Sequence, residues 1–329
     1  MKDFRTELIP IISKSPIGLK ENIFTIGSCF ANSIGSHLVE NKFHAWNNQF
    51  GTVYNPISIH RLLLFGLEKE SPGSESYLQR EGVKLNYHFH SSFSSFSKAE
   101  LENRIKTSIA EANQFLKNAN LIIITYGTAF VYRLKSNNEM VANCHKEPSE
   151  NFEKSLLIEN QIVNSFQVVY SKLKAINPNC KIILTVSPVR HLKDTLELNA
   201  VSKSVLRLSC HSIVNQFRGV EYFPAYEILL DDLRDYRFYK TDRLHPTEEA
   251  MDYIWEKFVA SYLDEPTKKF ISDWQEIKKD LSHRPFHPRS EGHQLFLKKV
   301  LTKLKKMESS VDVSNEIQNL ESFILDFKF

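Results

Sequence analysis

Two short segments, far apart along the chain, combine residue types that could carry out acyl chemistry. In the first, Gly27 is followed by Ser28 and Cys29, between a short apolar run and a helical pattern. A nucleophile at such a turn is exposed at the end of a strand, and the amides of the following helix can stabilise a thiolate or an oxyanion. The same residues are equally compatible with a tight turn around a buried cysteine.

The second segment contains Asp242 and His245, three residues apart and just before the helical pattern that follows Pro246. A catalytic histidine must be held in one tautomer, and a carboxylate that accepts its second ring proton does this. A surface ion pair would have the same spacing. Together the two segments indicate a nucleophile and its general base more strongly than either does alone.

Glycine spacing and charge exclude several other functions. The chain has 10 glycines in 329 residues, and the closest two, Gly66 and Gly73, are seven positions apart. This spacing excludes the glycine motifs of dinucleotide-binding proteins and P-loop enzymes, as well as the G-x-S-x-G elbow. The 42 basic and 39 acidic side chains give a net charge of +3, which does not favour nucleic-acid binding. We therefore expect a small or acyl substrate.

Cysteine usage and hydropathy bear on where the protein works. The four cysteines show neither C-x-x-C spacing nor the density of a disulfide-rich protein, so we expect a reducing, cytoplasmic location. No apolar run approaches the 18 residues typical of a membrane-spanning helix, and the first residues lack the features of a signal peptide.

Apolar runs and helical patterns alternate along most of the chain. Short runs rich in β-branched residues predict buried strands at 22–26, 121–125, 181–187 and 220–223. Helical periodicity predicts helices at 31–40, 57–67, 98–117, 152–175, 196–217 and 247–263. This alternation predicts an α/β fold with a mostly parallel sheet that helices cover on both faces.

Two regions depart from the alternation. Within 129–143, two runs in which apolar and polar residues alternate flank a polar turn. They predict a hairpin after the third helical pattern and the strand that follows it. After residue 263 the pattern becomes polar and helical, so we divide the chain into an α/β domain, 1–263, and a helical C-terminal extension, 264–329. The basic amphipathic pattern at 297–306 fits a membrane surface or, as we favour, a helix packed on the protein body or a partner.

The five residues Gly27-Ser28-Cys29-Phe30-Ala31 match the signature of the bacterial GSCFA domain family, which is itself similar to the SGNH, or GDSL-like, hydrolase superfamily. The resemblance covers about residues 3–262, with matching segments at 4–7, 47–56, 126–128, 141–146 and 187–189. It implies a three-layer α/β/α sandwich, a hydrolase of esters or a related acyltransferase, Ser-His-Asp-type chemistry, and no metal or cofactor.

The resemblance also assigns roles to particular residues. Asp242 and His245 match the superfamily's last block without gaps. In its first block the nucleophile is the second residue after glycine, which slightly favours Cys29 over Ser28. A Cys29 thioester suits acyl transfer, whereas Ser28 in an open cleft would suit an esterase or deacylase.

The oxyanion hole departs from the superfamily's pattern. Its glycine corresponds to Gly51, but Ala129 stands where the superfamily has an asparagine. Because the loss of one such donor costs about 2.7 to 4 kcal/mol, Thr128 or Asn143 must replace it, or the enzyme is slow. A ligand-binding module that has lost its chemistry is therefore an alternative to an enzyme.

Other polar residues lie in segments that the family shares or near a strand end. His90, His145 and Arg190 could line a substrate pocket. His88 and His90 would face the same way on a strand, but without a third ligand the sequence predicts no metal. We expect a small-molecule or glycan ester as substrate, with no nucleic acid and no membrane span; the sequence carries no signal for an oligomeric state.

Overall fold

The apolar runs form the predicted parallel sheet. A computed structural model describes residues 5–288 and 290–325. Its strands are β1 (Asn22–Gly27), β2 (His44–Asn47), β3 (Tyr77–Arg80), β4 (Val83–Asn86), β5 (Leu121–Tyr126), β6 (Phe130–Leu134), β7 (Met140–Val141), β8 (Phe152–Leu156), β9 (Lys181–Val186) and β10 (Val220–Phe223). The central sheet has five parallel strands in the order β10-β9-β5-β1-β2. The four predicted strands are confirmed, and β2 joins them at one edge.

The strand register brings several carboxyl ends to one edge of the sheet. Gly27 at the end of β1 lies beside Thr125 of β5, and Tyr126 of β5 lies beside Val186 of β9. Parallel α/β sheets bind ligands at this edge. The segments that follow β1, β5 and β9 are therefore close together in space.

Helices cover both faces of the central sheet. They are α1 (Cys29–Glu40), α2 (Pro56–Glu68), α3 (Lys98–Asn118), α4 (Glu159–Ile176), α5 (Thr195–Gln216), α6 (Ala225–Glu227), α7 (Glu248–Tyr262), α8 (Glu265–Ser282), α9 (Glu291–Met307) and α10 (Ser314–Leu325). Phe24 and Ile122 pack with α2–α5 on one face, whereas Ile23 and Ile123 pack with α1 and α7 on the other. Because successive strand residues point to opposite faces, the predicted α/β/α sandwich is confirmed. None of the described helices contains an apolar stretch of the length that spanning a bilayer requires.

The predicted hairpin is present within a larger insertion, which we call the inserted sheet (β6, β7 and β8). Tyr132 of β6 lies opposite Val141 of β7, and β8 pairs with β6 on its other side. The predicted helix 152–175 is therefore wrong at its start, since 152–156 form β8 and α4 begins at Glu159. Pairing with β6 and packing of Phe152 against Tyr87 outweigh the local helical pattern, as tertiary contacts often do.

The last three helices, α8–α10, form a bundle with a hydrophobic cluster of its own. Leu297 and Leu304, on the apolar face of the basic helix α9, are buried in this cluster with residues of α8 and α10. The bundle contacts the end of α1, where Trp274 Nε1 donates a hydrogen bond to the carbonyl oxygen of Glu40 at 2.8 Å. The division at residue 263 stays a prediction, and the outer ends of both predicted ranges, 1–4 and 326–329, lie outside the described residues.

Candidate active site

The turn between β1 and α1 is held on two sides. Gly27 has φ +137°, and a Cβ there would lie 2.1 Å from the carbonyl oxygen of Thr125, so only glycine fits. That same oxygen accepts a hydrogen bond from the Ser28 amide at 3.1 Å. On the other side, Asn48 Oδ1 accepts from the Gly27 amide at 3.0 Å, and its Nδ2 donates back to the Gly27 carbonyl at 3.3 Å. Asn48, which the sequence analysis did not identify, thus fixes the turn.

The two candidate nucleophiles face different surroundings. Ser28 is fully buried, and its hydroxyl has no hydrogen-bond partner among the described residues. It packs beside Gly127, where an added Cβ would lie 3.2 Å from the Ser28 Cβ. Cys29 is half-buried and lines a cleft of about 670 Å³ at the carboxyl edge of the sheet. The turn therefore presents the thiol to the cleft and the hydroxyl to the interior.

Asp242 and His245 form a bonded pair, of which His245 lines this cleft. His245 Nδ1 lies 2.7 Å from Asp242 Oδ2, and the other carboxylate oxygen accepts the amides of Leu244 and His245 at 2.8 and 3.0 Å. These bonds, that from the Leu244 amide first, lower the pKa of Asp242 to about 2. Because the carboxylate stays charged, Nδ1 carries the ring proton and Nε2 is left as the basic nitrogen.

His245 shares the cleft with Cys29. Thr247 helps to place it, because the Thr247 hydroxyl caps α7 by accepting the Ala250 amide at 3.3 Å, and α7 begins just after the histidine. Within the described part of the chain, His245 Nε2 has no hydrogen-bond partner. The basic nitrogen is thus available to a group in the cleft.

A buried lysine lies beneath the site and was missed by the sequence analysis. Lys203 of α5 is 1% exposed, and its Nζ donates to the carbonyl oxygens of Gly127 at 2.8 Å and Ser187 at 2.6 Å. No carboxylate among the described residues pairs with it. Burial lowers the pKa of Lys203 to about 7, and the nearby Cys29 acts in the opposite direction. Its one sequence signal is a lysine on the buried face of a helix.

Opposing effects act on the pKa of the Cys29 thiol. Burial raises its pKa, while the charge of Lys203 and the backbone amides of Phe30 and Cys29 lower it. Positive charge and helix N-terminal amides stabilise a thiolate. Burial is the largest of these effects, so the pKa of Cys29 is raised overall and the thiol needs a base to take its proton.

His191 also lines the cleft, just after β9. Its ring packs edge-on against Tyr54, with the ring centroids 5.2 Å apart. Burial, followed by the positive charges of Lys203 and His245, lowers the pKa of His191 to about 4. A neutral His191 therefore lines the cleft at neutral pH.

The predicted oxyanion donors occupy different places. The Gly51 amide donates to the Asn48 carbonyl at 2.8 Å and is used within a turn, so the expectation that it holds an oxyanion is not supported. Thr52, the next residue, lines the cleft, and its amide has no partner in the described part of the chain. Thr128 and Asn143, the two other predicted oxyanion donors, both line the cleft.

Both side chains are already hydrogen-bonded. The Thr128 hydroxyl lies 3.0 Å from Ser202 Oγ and accepts the Phe130 amide at 3.1 Å. Asn143 Nδ2 donates to Ser91 Oγ at 3.0 Å. Each would have to exchange a partner in order to bind an oxyanion.

The three predicted substrate-binding residues separate into two groups. His90 and Arg190 line the cleft. His145 is buried outside its lining, where its Nε2 lies 2.8 Å from the Asn86 carbonyl and supports the loop that carries Asn143.

The His88-x-His90 pattern lies in a turn rather than a strand, so the two rings do not share a face. His88 instead contacts Arg61 at 3.0 Å and Glu139 at 3.1 Å. Among the described residues, no three His, Cys, Asp or Glu side chains are grouped as a metal site requires.

The fold and the cleft define an α/β protein with a thiol, a histidine and a carboxylate at the carboxyl edge of its sheet. The chain belongs to the GSCFA family, whose model matches residues 22–258. The C-terminal domain of GSCFA domain proteins matches residues 274–326. A comparison with curated proteins found no match.

Two solved structures share part of the architecture. A Streptococcus pneumonia protein, described provisionally as a platelet activating factor, is 13% identical with a TM-score of 0.40; the match covers 74% of this chain and 85% of that one. An acetyl xylan esterase from the rumen bacterium Butyrivibrio proteoclasticus is 12% identical with a TM-score of 0.30, covering 77% of this chain and 64% of that one. Likeness at this level supports no argument about activity.

Proposed function

We propose that the protein is an ester hydrolase whose acyl intermediate forms on Cys29. One observation carries the proposal: Cys29 and His245 line the same cleft, and His245 Nδ1 lies 2.7 Å from Asp242 Oδ2. A thiol that shares a cleft with a histidine of fixed tautomer is the arrangement of a nucleophile and its general base.

In the first half-reaction, His245 Nε2 takes the thiol proton and Cys29 Sγ bonds to the acyl carbon of the ester. The carbonyl electron pair moves to oxygen and gives a tetrahedral oxyanion. When this intermediate collapses, the carbon–oxygen ester bond breaks, and the proton on His245 passes to the leaving alcohol. An acyl thioester remains on Cys29.

In the second half-reaction, His245 Nε2 takes a proton from water, whose oxygen bonds to the acyl carbon. Collapse breaks the carbon–sulfur bond, the proton returns to Cys29, and a carboxylic acid leaves. Asp242 stays ionised throughout, because its pKa of about 2 is far below that of an imidazolium. Its role is to hold the ring and to stabilise the positive charge that forms on it.

Backbone amides are the best candidates for oxyanion donors. The Cys29 amide belongs to the first turn of α1 and has no backbone partner, and the Thr52 amide borders the same cleft. Fixed amides at a helix N-terminus stabilise developing negative charge without reorganising. The helix-terminal amide of Cys29 and the loop amide of Thr52 would together compensate for Ala129 at the position where the superfamily has an asparagine.

Access of water favours hydrolysis over acyl transfer. The His245 side chain is 46% exposed, so water can reach the nitrogen that would activate it. No described residue after His245 lines the cleft. The α8–α10 bundle contacts Glu40, which lies about 16 Å from Cys29 along α1 at 1.5 Å per residue. The bundle therefore does not cover the site.

A catalytically inactive binding module is the second candidate, because Ala129 cannot supply the side-chain oxyanion donor that the superfamily's asparagine provides. Hydrolysis of 4-nitrophenyl acetate by a small set of variants distinguishes the two. We expect Cys29→Ala to reduce turnover to background and His245→Ala to reduce it by about 10²- to 10⁴-fold, while Ser28→Ala retains it. No turnover by folded wild-type protein, or equal turnover by Cys29→Ala, would exclude the proposed enzyme.

A further inference from the structure

The inserted sheet and its loops form one wall of the cleft. Of the 21 lining residues, nine lie between 130 and 152. The rest of the lining includes Cys29 and His245, which carry the proposed chemistry. The residues of the wall are therefore placed to contact the part of a substrate that is not the reacting ester.

The charged residues of the cleft lining are mostly basic. Lys146, Arg190 and Lys193 line it, against one acid, Glu147. None of the three cations forms an ion pair with a carboxylate among the described residues. The whole chain carries a net charge of only +3, so this bias is local to the cleft rather than a property of the whole surface.

Aromatic rings hold the cations in place beside the cleft. The Arg190 guanidinium lies 4.0 Å from the ring centroid of Tyr239, and Lys193 Nζ lies 5.5 Å from that of Tyr132. Tyr132 and Phe130 are themselves lining residues. Flat apolar rings beside unpaired cations suit a ligand that combines a ring with an anionic group.

Buried neighbours strengthen the positive potential. The ammonium of Lys203 lies beneath the cleft without a carboxylate partner in the described part of the chain. Positive charge also contributes, after burial, to the lowered pKa of His191. Low-dielectric walls lined by one sign of charge concentrate ligands of the opposite sign.

We propose that the cleft selects esters whose alcohol part bears a carboxylate or phosphate on a ring, with Lys193 and Lys146 as the contacts of the inserted-sheet side and Arg190 as the contact near His245. This specificity rests on the proposed ester hydrolysis. It assigns recognition of the anion to residues that the acyl chemistry does not use.

A matched pair of substrates tests the proposal with the full-length protein. 4-Acetoxybenzoate and the neutral 4-acetoxybenzamide share the same ring and reacting ester and have nearly the same size, so they differ mainly in charge, and 4-acetoxyphenyl phosphate separates phosphate from carboxylate recognition. After division by each compound's spontaneous hydrolysis rate, we expect kcat/KM to be about tenfold higher for an anionic ester than for the neutral one. Raising the ionic strength should reduce this ratio, because salt screens exposed charges.

Variants connect the preference to named residues. Each exposed ion pair contributes up to about fivefold, so the Lys146→Gln/Lys193→Gln double variant should lower the anionic-to-neutral ratio several-fold, with Arg190 maintaining the preference that remains. Lys298→Gln, an exposed lysine of α9 outside the cleft lining, removes one charge elsewhere and should leave the ratio unchanged. A ratio near one in wild-type protein, or a ratio unaffected by the double variant, would overturn the proposal while leaving ester hydrolysis intact.

Binding of an amide analogue keeps the test independent of turnover. 4-Acetamidobenzoate and the neutral 4-acetamidobenzamide contain no ester bond, so calorimetry can compare their affinities even if no ester is cleaved. Tighter binding of the anionic analogue, weakened in the double variant, would support anion recognition in an inactive protein. Equal affinities would contradict it.

Discussion

The Lys203 ammonium donates a hydrogen bond to the Gly127 carbonyl at 2.8 Å, and Gly127 is the residue against which Ser28 packs. A buried cation is thus bonded to the backbone immediately beneath the turn that presents Cys29. Burying an ammonium without a carboxylate is costly. This cost is offset in part where the lysine's charge stabilises a nearby thiolate.

Removing this charge should make the Cys29 thiol less acidic. We expect Lys203→Met to raise the pKa of Cys29, measured from the pH dependence of its alkylation by iodoacetamide, and Lys203→Arg to restore it in part. The two carbonyls left without a donor should also lower the free energy of unfolding by about 1–3 kcal/mol each. An unchanged thiol pKa in folded Lys203→Met would show that the lysine acts on structure alone.

Lys203 should also make stability depend on pH. Its folded pKa of about 7 lies below the value of about 10.4 for a free lysine. Between these values the unfolded chain binds more protons, so the free energy of unfolding rises with pH, on the order of 1 kcal/mol per unit. Urea unfolding at pH 7, 8 and 9 in a Cys29→Ser background, with and without Lys203→Met, measures this. Identical slopes for both proteins would contradict the lowered pKa.

Asp242 should act on turnover through the histidine. Asp242→Asn removes the charge that selects the Nδ1–H tautomer of His245, and we expect kcat to fall by about 10²- to 10⁴-fold with little change in the unfolding transition, because the side chain is exposed. Asp235→Asn is the matched control, since Asp235 also accepts a backbone amide in a nearby turn but does not contact His245. Equal effects of the two variants would argue against the proposed role.

Gly27 should tolerate no side chain. Gly27→Ala would place a Cβ 2.1 Å from the Thr125 carbonyl oxygen at a φ of +137°, so we expect a loss of at least about 2 kcal/mol of unfolding free energy. At Gly292, in the first turn of α9, an added Cβ has no neighbour within 4 Å. Gly292→Ala should therefore be stabilising by about 0.5 kcal/mol. Chemical denaturation of both variants compares them, and similar effects would contradict the observed turn geometry.

Local patterns were sufficient to predict most of the fold. The strand runs and the helical periods correspond to β1, β5, β9, β10 and the helices around them, and the hairpin corresponds to β6 and β7. The error at 152–156 arose because β8 is held by long-range pairing with β6, which leaves no local signal. The Asp242–His245 pair was visible because both residues belong to one short loop.

Other features of the site depend on contacts that sequence spacing does not encode. Ser28 and Cys29 are adjacent, and only the path of the turn decides which one faces the cleft. Lys203 is remote in sequence from Gly127 and Ser187. It donates hydrogen bonds to both of their carbonyl oxygens only because α5 packs over the ends of β5 and β9. The Gly51 amide, likewise, is used by Asn48 in a turn that a family pattern does not describe.

The most direct test of the central claim is to locate the acyl group. The protein is mixed with 4-nitrophenyl acetate, quenched in acid within the first turnover, digested at low pH and mapped by mass spectrometry. We expect an acetyl group on Cys29 in the wild-type protein and in Ser28→Ala, none in Cys29→Ala, and only slow accumulation of this group in His245→Ala. An acetyl group on Ser28, or turnover by folded protein with no adduct on Cys29 at any quench time, would contradict it.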